Sequence, residues 1–238
     1  RKAWSILPEE WKPILTERGL RAFRADQILQ SLYRDYITDW DQATTLPKDF
    51  RESLKTEFPI TKAETLDVST SSDGTQKLLI GFEDGNAVET VLIPATGRFT
   101  QCISTQVGCP MGCAFCASTV AGKVRDLTPA EMLDQVLFTQ LDSGLEISNI
   151  VLMGIGEPMD NLDTVLRFLE LVNHPDGMNI GMRHISLSTC GVIPGIRRLA
   201  DLGLQLTLSV SLHAPDSETR SKIMPVNRAY DVEKLFDA

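Results

Sequence analysis

Hydrophobic residues recur at helical spacing through the first 58 residues. Trp11, Ile14 and Leu15 fall on one face of a segment that stops at Gly19. The segments RADQILQSLYRDY and PKDFRESLKTEF repeat this spacing. The pattern predicts a small helical domain over residues 1–62. No metal or phosphate motif occurs there, so an accessory docking role and a purely structural role both remain open.

Beyond Thr75 the hydrophobic period shortens to that of a β-strand. QKLLIGF and NAVETVLIP predict two strands, and the Asp84-Gly85 pair between them is typical of a hairpin turn. TQCISTQ predicts a third short strand that runs into a cysteine-rich loop. We expect residues 63–100 to form a β-hairpin extension that packs on the core.

Residues 101–238 alternate apolar strands with amphipathic helices. NIVLMG, HISLST and LTLSVSLH predict strands. The first helix has Thr128 as its N-cap, Glu131 in a capping box and Gly144 as its stop. This alternation predicts an α/β fold with a parallel sheet covered by helices. Periodicity alone leaves open whether the sheet closes into a barrel.

Composition and charge narrow the function classes. Of the 238 residues, 42% are hydrophobic and 23% charged, as in ordinary globular proteins. The longest apolar runs are too short to cross a bilayer, and no secretion signal is visible, so we expect a cytoplasmic protein without a membrane partner. The opening on Arg1 and an end inside a predicted helix suggest a fragment.

The charge is unevenly distributed along the chain. The formal net charge is −9. Residues 1–62 contribute +1 (11 basic, 10 acidic) and residues 63–238 contribute −10 (12 basic, 22 acidic). This charge distribution gives little support for nucleic-acid binding, which usually needs a basic patch. A local basic face is still predicted in the first domain, formed by Arg18, Arg21, Arg24 and Arg34.

The stretch CISTQVGCPMGCAFCAS, residues 102–118, contains four of the five cysteines. Cys109, Cys113 and Cys116 have the spacing Cys-x3-Cys-x2-Cys. A structural zinc ion would need a fourth ligand, and the three histidines of the chain lie far downstream. A disulfide cluster disagrees with the reducing compartment expected here. Three close thiolates favour a four-iron cluster that keeps one iron open for a substrate.

This cysteine loop, together with GIGEPMDN, RHISLSTCGVIPGI and SVSLHAPDSETRSKIMPVNR, resembles the radical S-adenosylmethionine (SAM) superfamily, and within it the RlmN/Cfr class of RNA adenine methyltransferases. The resemblance covers essentially the whole chain. It implies a radical SAM partial (β/α) barrel over residues 101–238, truncated at its C-terminus and preceded by the helical domain and the hairpin extension. The implied cofactors are SAM and a [4Fe–4S] cluster held by Cys109, Cys113 and Cys116.

The resemblance also implies SAM contacts at the C-terminal ends of the predicted strands. Gly156 and Glu157 would contact the amino group of SAM, although an ordinary turn with a helix-starting Glu-Pro pair explains the same residues. A lone histidine at a strand end is more often structural, and His213 is singled out because of the family motif around it. The further implied contacts are Ser188, Ser211, Leu212, His213 and, with weaker support, Asn227.

Cys102 and Glu89 are implied as catalytic residues. Cys102 matches a cysteine that removes the proton at the adenine carbon and then forms a disulfide with a second, methyl-carrying cysteine, expected beyond Ala238. Without the resemblance, Cys102 would be interpreted as a buried small apolar residue. Glu89 matches an acid proposed to handle protons, while its strand pattern equally fits a solvent-facing residue. Cys190 does not match the methyl-carrying position and is interpreted as pocket wall or core.

The activity that the resemblance implies is methylation of carbon 2 of an adenosine in 23S rRNA, and in tRNA, through a methyl-cysteine intermediate. Methylation of carbon 8 is the alternative, and Pro158 after Glu157 favours the carbon-2 branch. We expect this fragment to be inactive alone. The expected partners are these RNAs and an electron donor such as flavodoxin, with a monomeric protein. An electron-transfer protein without SAM would instead need four cluster cysteines.

Overall fold

The computed structural model describes all residues from Arg1 to Ala238. The helices are α1 (Pro8–Glu17), α2 (Phe23–Tyr33), α3 (Lys48–Glu57), α4 (Pro129–Ser143), α5 (Leu162–Asn173), α6 (Ile193–Asp201), α7 (Ser217–Ile223) and α8 (Val232–Asp237). The strands are β1 (Glu64–Thr70), β2 (Gln76–Gly81), β3 (Ala87–Ala95), β4 (Arg98–Cys102), β5 (Gln106–Gly108), β6 (Lys123–Asp126), β7 (Asn149–Leu152), β8 (Ile185–Thr189) and β9 (Thr207–Val210).

Seven strands form one mixed sheet in the order β1-β2-β3-β4-β7-β8-β9. Strands β1 to β4 pair antiparallel, whereas β4, β7, β8 and β9 pair parallel. Helices α4, α5 and α6 connect the parallel strands in turn. The predicted α/β class and the parallel, helix-connected core are therefore confirmed. The C-terminal ends of the parallel strands lie at one edge, which is where α/β proteins build their sites.

The structure adds three strands and a helix that the sequence patterns did not reveal. Strand β1 pairs with β2, so the predicted hairpin extension is a three-stranded unit. Its residues are almost all exposed, so no alternation between buried and exposed positions marks it. The predicted third strand ends at Cys102, and β5 then pairs with β6 in a separate ribbon. The short helix α7 begins after Asp216, whose carboxylate accepts the Thr219 N–H.

Helix α4 anchors the strand that leads to the cysteine loop. Its predicted caps are confirmed, because Thr128 and Glu131 form a capping box and Gly144 ends the helix at φ +68°. Gln101, fully buried on β4, donates to the Gln135 carbonyl and the Thr139 hydroxyl of α4, at 2.6 and 2.7 Å. These buried hydrogen bonds connect β4 to α4.

The N-terminal helices pack directly on the core. One cluster of 46 buried hydrophobic residues includes Trp11 of α1, Leu78 of β2 and Phe168 of α5. Arg34 donates to the carbonyl of Gly177 at 3.0 Å, and Arg167 donates to the carbonyl of Ser5 at 3.1 Å. The division into segments 1–62, 63–100 and 101–238 stays a prediction, since these contacts do not define boundaries. None of the helices has the length and apolar character that crossing a membrane requires.

Candidate active site at the ends of the parallel strands

A cavity of about 330 Å³ lies where the cysteine loop covers the ends of β7, β8 and β9. Its wall also includes Phe115, Thr189, Cys190 and Met224. The structure therefore brings together residues from four separate motifs. Eight of the eleven predicted site residues line it: Cys109, Cys113, Cys116, Gly156, Glu157, Ser188, Ser211 and His213.

The cysteine loop is the connection of the small β5–β6 hairpin. Gly108 ends β5 at φ +74°, and a Cβ atom there would lie 1.9 Å from the carbonyl oxygen of Gly122. Only glycine permits this close return of the chain. On its other side the loop is fastened by the Ala114 N–H, which donates to the Ile223 carbonyl of α7 at 2.8 Å.

The three thiols of the loop suit a multi-iron cluster. Cys109 and Cys113 are each 8% exposed, and Cys116 is partly exposed. Burial raises the pKa of the Cys109 and Cys113 thiols, and iron would reverse this because it binds thiolates. No three histidine, cysteine, aspartate or glutamate side chains are placed to share one metal ion. A cube of irons, each taking one thiolate, separates its sulfur ligands more widely than a single ion does.

The GIGEP turn is pressed onto the start of β5. Gly156 has φ +109°, and a Cβ atom there would lie 2.7 Å from the Cβ of Gln106. Glu157 is only 3% exposed. Its carboxylate accepts the N–H of Met159 at 3.1 Å and the N–H of Cys190 at 2.8 Å. Glu157 thus caps the turn that follows it, as the ordinary-turn interpretation expects. It also connects the end of β7 to the end of β8, and it lines the cavity.

The ends of β8 and β9 meet at the cavity. The hydroxyl oxygens of Ser188 and Ser211 lie 3.4 Å apart. His213 has φ +57°, in the left-handed region that non-glycine residues rarely adopt. Its ring packs against Phe115 of the cysteine loop, with centroids 4.7 Å apart. The loop and the β9 end therefore touch across the cavity mouth.

Leu212 and Asn227 lie behind the cavity wall. Leu212 packs against the hydrophobic core, and its carbonyl accepts a hydrogen bond from Arg220 at 3.1 Å. Asn227 is 3% exposed and accepts from the same guanidinium at 3.0 Å. Any contact of Leu212 with a ligand would involve its backbone or a shift of this segment.

Cys102 lies outside the cavity, at the end of β4. It pairs with Val91 of β3 on one side and Val151 of β7 on the other. Because its neighbour Gln101 faces α4, alternation along the strand directs Cys102 to the opposite face of the sheet. The thiol is partly buried. Burial raises its pKa, and the Met153 N–H opposes this shift.

Glu89 lies on the same sheet face as Cys102. It is two residues along β3 from Val91, the cross-strand partner of Cys102, so the two side chains are diagonal neighbours. The Glu89 side chain is 50% exposed and forms an ion pair with Lys77 at 2.8 Å. Its exposure agrees with the solvent-facing interpretation, and its position keeps it beside Cys102.

Gln106 is a site residue that the sequence patterns missed. Its side-chain oxygen accepts the Glu157 N–H at 2.9 Å, and its amide donates to Asp126 and Asp160, both at 2.8 Å. It therefore sets the position of the GIGEP turn below the cysteine loop. Its position directly before the cysteine loop could have indicated a site residue. Its hydrogen-bond partners, however, are 20 to 54 residues away, so the sequence pattern does not reveal them. Cys190 lines the cavity and is 8% exposed, in agreement with its interpretation as pocket wall.

Comparison with known proteins assigns this fold and site to a class. The family model of the radical SAM superfamily matches residues 103–238, and that of the ribosomal RNA large subunit methyltransferase N-terminal domain matches residues 8–60. The crystal structure of a radical SAM methyltransferase from Sphaerobacter thermophilus superposes with a TM-score of 0.94 at 38% identity, covering 99% of this chain and 70% of that one. The chain thus has the fold of a radical SAM protein.

Curated relatives narrow the class to one family. A probable dual-specificity RNA methyltransferase RlmN of Geobacillus kaustophilus is 46% identical over 99% of this chain and 65% of its own length. Another, from Acholeplasma laidlawii, is 44% identical over 99% of this chain and 70% of its own length. The chain belongs to the RlmN family of the radical SAM superfamily. It spans about two thirds of the length of these relatives, 65% to 70%.

The family implies a [4Fe–4S] cluster and SAM as cofactors. The residues of the cavity fit both groups. Three thiols line the cavity, which matches three iron corners, and the same cavity is lined by the polar groups of Glu157, Ser188 and Ser211. Carboxylate and hydroxyl oxygens are suitable partners for the ammonium and ribose groups of SAM.

Proposed function

We propose that this protein is an RNA methyltransferase that methylates carbon 2 of an adenosine in 23S rRNA and in tRNA, through a methyl-cysteine intermediate. The observation that carries the proposal is the single cavity that joins the three cluster thiols to the β7, β8 and β9 ends. The names of the relatives, dual-specificity RNA methyltransferases, support the substrate class.

Within this proposal, Cys109, Cys113 and Cys116 hold the cluster. Gly156, Glu157, Ser188, Ser211, Leu212 and His213 bind SAM and orient it. When bound, the cluster and SAM supply the radical and the methyl group. The buried wall formed by Cys190 and Met224 excludes water from the reacting groups.

Cys102 is proposed as the group that removes the proton at the adenine carbon and so releases the product from the protein. Burial raises the pKa of this thiol, so it is protonated in the resting protein and must lose its proton before it can act as a base. Glu89, the diagonal neighbour, is the proposed proton acceptor, although its ion pair with Lys77 must loosen first.

Two substitutions test this assignment in the full-length protein. Cys102→Ser should leave SAM cleavage intact but stop product release, so that RNA stays covalently attached to the protein and is seen as a shifted band on a denaturing gel. Glu89→Gln should slow the same step by a smaller factor, about 10²-fold, as expected when a proton-handling group is lost. Free methylated RNA formed by Cys102→Ser at the normal rate would contradict the role of Cys102.

The N-terminal helices are proposed to dock RNA. Of the four arginines, Arg18 is paired with Glu57 at 2.7 Å and Arg34 is bonded to the Gly177 carbonyl, so both are engaged within the chain. Arg21 is exposed, and Arg24 lies 4.8 Å from the ring centre of Phe23, which is 46% exposed. Arg24 is half-buried and donates to the Gln27 side chain at 2.6 Å, so the exposed member of the pair is Phe23. An exposed aromatic ring is suited to stacking on unpaired bases.

Mass spectrometry of nucleosides from 23S rRNA and tRNA tests the reaction as a whole. Cells that lack the full-length gene should lose 2-methyladenosine from both RNAs, and restoring the gene should return it. Restoration with a Cys113→Ala gene should not. Loss of 8-methyladenosine instead would assign the carbon-8 reaction, and unchanged nucleosides would contradict the proposal.

The chain of 238 residues is proposed to carry out only part of the reaction. Cys190 is a free cysteine packed in the cavity wall, and it does not match the position of the methyl-carrying cysteine in the family. We expect the reconstituted chain to cleave SAM to 5′-deoxyadenosine without forming methyladenosine, and methylated RNA made by it would contradict this. A flavodoxin-type electron donor, a monomeric state and a cytoplasmic location stay predictions.

A further inference from the structure

Arg220 of α7 is a fully buried arginine without a carboxylate partner. Its exposed fraction is 0%, and it takes part in no ion pair. All its acceptors are neutral oxygens: the carbonyls of Cys190, Ser211, Leu212 and Tyr230 and the side-chain amide of Asn227. A buried charge is normally paired, so this one calls for a compensating negative group nearby.

These acceptors place the guanidinium behind the proposed SAM contacts. Cys190 follows the end of β8, and Ser211 and Leu212 follow the end of β9. His213, with its strained backbone, comes next. One rigid, planar group therefore fixes two neighbouring strand ends, because the five donors of arginine have a fixed fork geometry.

The same helix supports the cysteine loop. The Ile223 carbonyl, at the end of α7, accepts the Ala114 N–H at 2.8 Å, between Cys113 and Cys116. Met224, fully buried, belongs to one packed cluster with Cys113 and Cys190. Arg220 thus belongs to an element that touches the cluster ligands as well as the strand ends.

The acidic groups that face this guanidinium are the site thiols. Burial lowers the pKa of Arg220, and the negative charge that Cys190 and Cys113 carry when ionised acts against that shift. Glu157 is nearby, since its carboxylate accepts the Cys190 N–H while Arg220 binds the Cys190 carbonyl. An iron–sulfur cluster with three thiolate ligands is anionic and becomes more so on reduction, and its charge environment sets its potential. A fixed cation in a water-poor wall favours the reduced state.

We propose that Arg220 is a positioning residue that acts in two ways. Its hydrogen bonds hold the β8 and β9 ends in the geometry that binds SAM, and its uncompensated positive charge raises the reduction potential of the cluster held by Cys109, Cys113 and Cys116. This inference rests on the proposed cluster site but not on the RNA substrate.

The test compares Arg220→Lys, Arg220→Met and the control Arg197→Met in anaerobically reconstituted protein. Arg197 is an exposed cation of α6 with no hydrogen-bond partner in the structure. Iron content, cluster potential by electron paramagnetic resonance titration without SAM, and SAM affinity by equilibrium binding are measured for each. Arg220→Lys keeps the charge but not the fork, so its potential should stay near the wild-type value while SAM binding weakens roughly tenfold.

Arg220→Met should lose SAM affinity and also shift the potential to more negative values, whereas Arg197→Met should match the wild type in both. Equal potentials in wild type and Arg220→Met would overturn the electrostatic part, and unchanged SAM affinity in Arg220→Lys would overturn the positioning part. If Arg220→Met does not hold a cluster, Arg220→Lys still tests the electrostatic part. A cluster potential of Arg220→Lys far from the wild-type value would contradict that part. Wild-type protein that takes up no iron would contradict the cluster site itself, a different outcome from all of these.

Discussion

Asp134 is fully buried in α4, and neither of its carboxylate oxygens has a hydrogen-bond partner. Burial raises the pKa of Asp134 to about 7, Thr61 and Lys2 lower it by smaller amounts, and Glu131 raises it. The first turn of the chain packs against this helix, so the carboxyl group lies where the N-terminal segment meets the core. A protonated carboxyl group is tolerated there much better than a carboxylate.

This group should make stability depend on pH. Because the pKa is near 7 in the folded state and near 4 in the unfolded state, the folded chain binds more protons in between, and stability falls as pH rises from about 4 to 7. Asp134→Asn should remove this fall, which is at most roughly 4 kcal/mol. Thermal unfolding at pH 5 and pH 8 measures the part of this fall that lies above pH 5, at most roughly 3 kcal/mol, with the exposed Glu17→Gln as control. The same pH dependence in Asp134→Asn and wild type would contradict the assignment.

Glu157 shows how a motif residue can have a second role. The sequence predicts a contact with SAM, and the structure shows its carboxylate accepting two backbone N–H groups, one of them 33 residues away at Cys190. A carboxylate that accepts backbone N–H groups is held in one orientation. Its place at the cavity therefore depends on the β8 end as much as on its own turn.

At the scale of elements, the β5–β6 hairpin is the structure that presents the cysteines. Its register contains a bulge between Val107 and Gly108, which lets the chain turn into the loop. Gln106 at its start and the Ala114–Ile223 hydrogen bond at its far side fix the loop between β5 and α7. The cysteine spacing alone does not encode this support.

Gly108→Ala should disrupt the loop and lower its capacity for iron. The new Cβ atom would lie 1.9 Å from the Gly122 carbonyl oxygen, so the hairpin would have to open. Gly97→Ala is a matched control, since Gly97 has φ +71° but open space around it. Both variants bear the strain of alanine at positive φ, about 1 kcal/mol. Iron and sulfide content after anaerobic reconstitution should fall severalfold for Gly108→Ala alone, and equal contents in the two variants would contradict the steric argument.

At the scale of the whole molecule, the N-terminal helices and the core form a continuous hydrophobic cluster. Polar contacts reinforce the boundary: Arg167 of α5 binds Glu10 of α1 and the Ser5 carbonyl, and His174 lies 3.0 Å from Glu9. The proposed RNA-docking role of these helices requires that they be held at a constant position relative to the active site. This joint packing supplies that constraint.

Arg167→Met should loosen the attachment of the first helices. It removes a charge-assisted hydrogen bond and a bond to a backbone carbonyl at a partly buried position, so a loss of about 2 kcal/mol is expected. Arg198→Met removes an exposed pair with Asp163 and should cost less than about 1 kcal/mol. Amide hydrogen exchange should be faster in α1 for Arg167→Met alone. Unchanged exchange there would show that hydrophobic packing suffices.

The sequence by itself determined the local features of this protein. Helix caps such as Thr128 and Glu131, the apolar parallel strands and the Cys-x3-Cys-x2-Cys spacing depend on neighbouring residues, so period and composition reveal them. The sequence patterns did not predict edge strand β1, because its residues are mostly exposed and show no alternation between buried and exposed positions. Most of the cavity wall was implied by the family resemblance, and its residues lie together because strand ends of a parallel sheet meet at one edge.

Only the tertiary structure decided which distant groups meet. The contacts of Gln106 with Asp160, Glu157 with Cys190 and Arg220 with Cys190 span 54, 33 and 30 residues. Hydrogen-bond partners are selected by packing, since many polar side chains in a sequence could satisfy a given backbone group and only the folded chain brings one of them within reach. The burial of Asp134 and Arg220 has the same origin, because no local pattern marks a charged residue that will be covered by another segment.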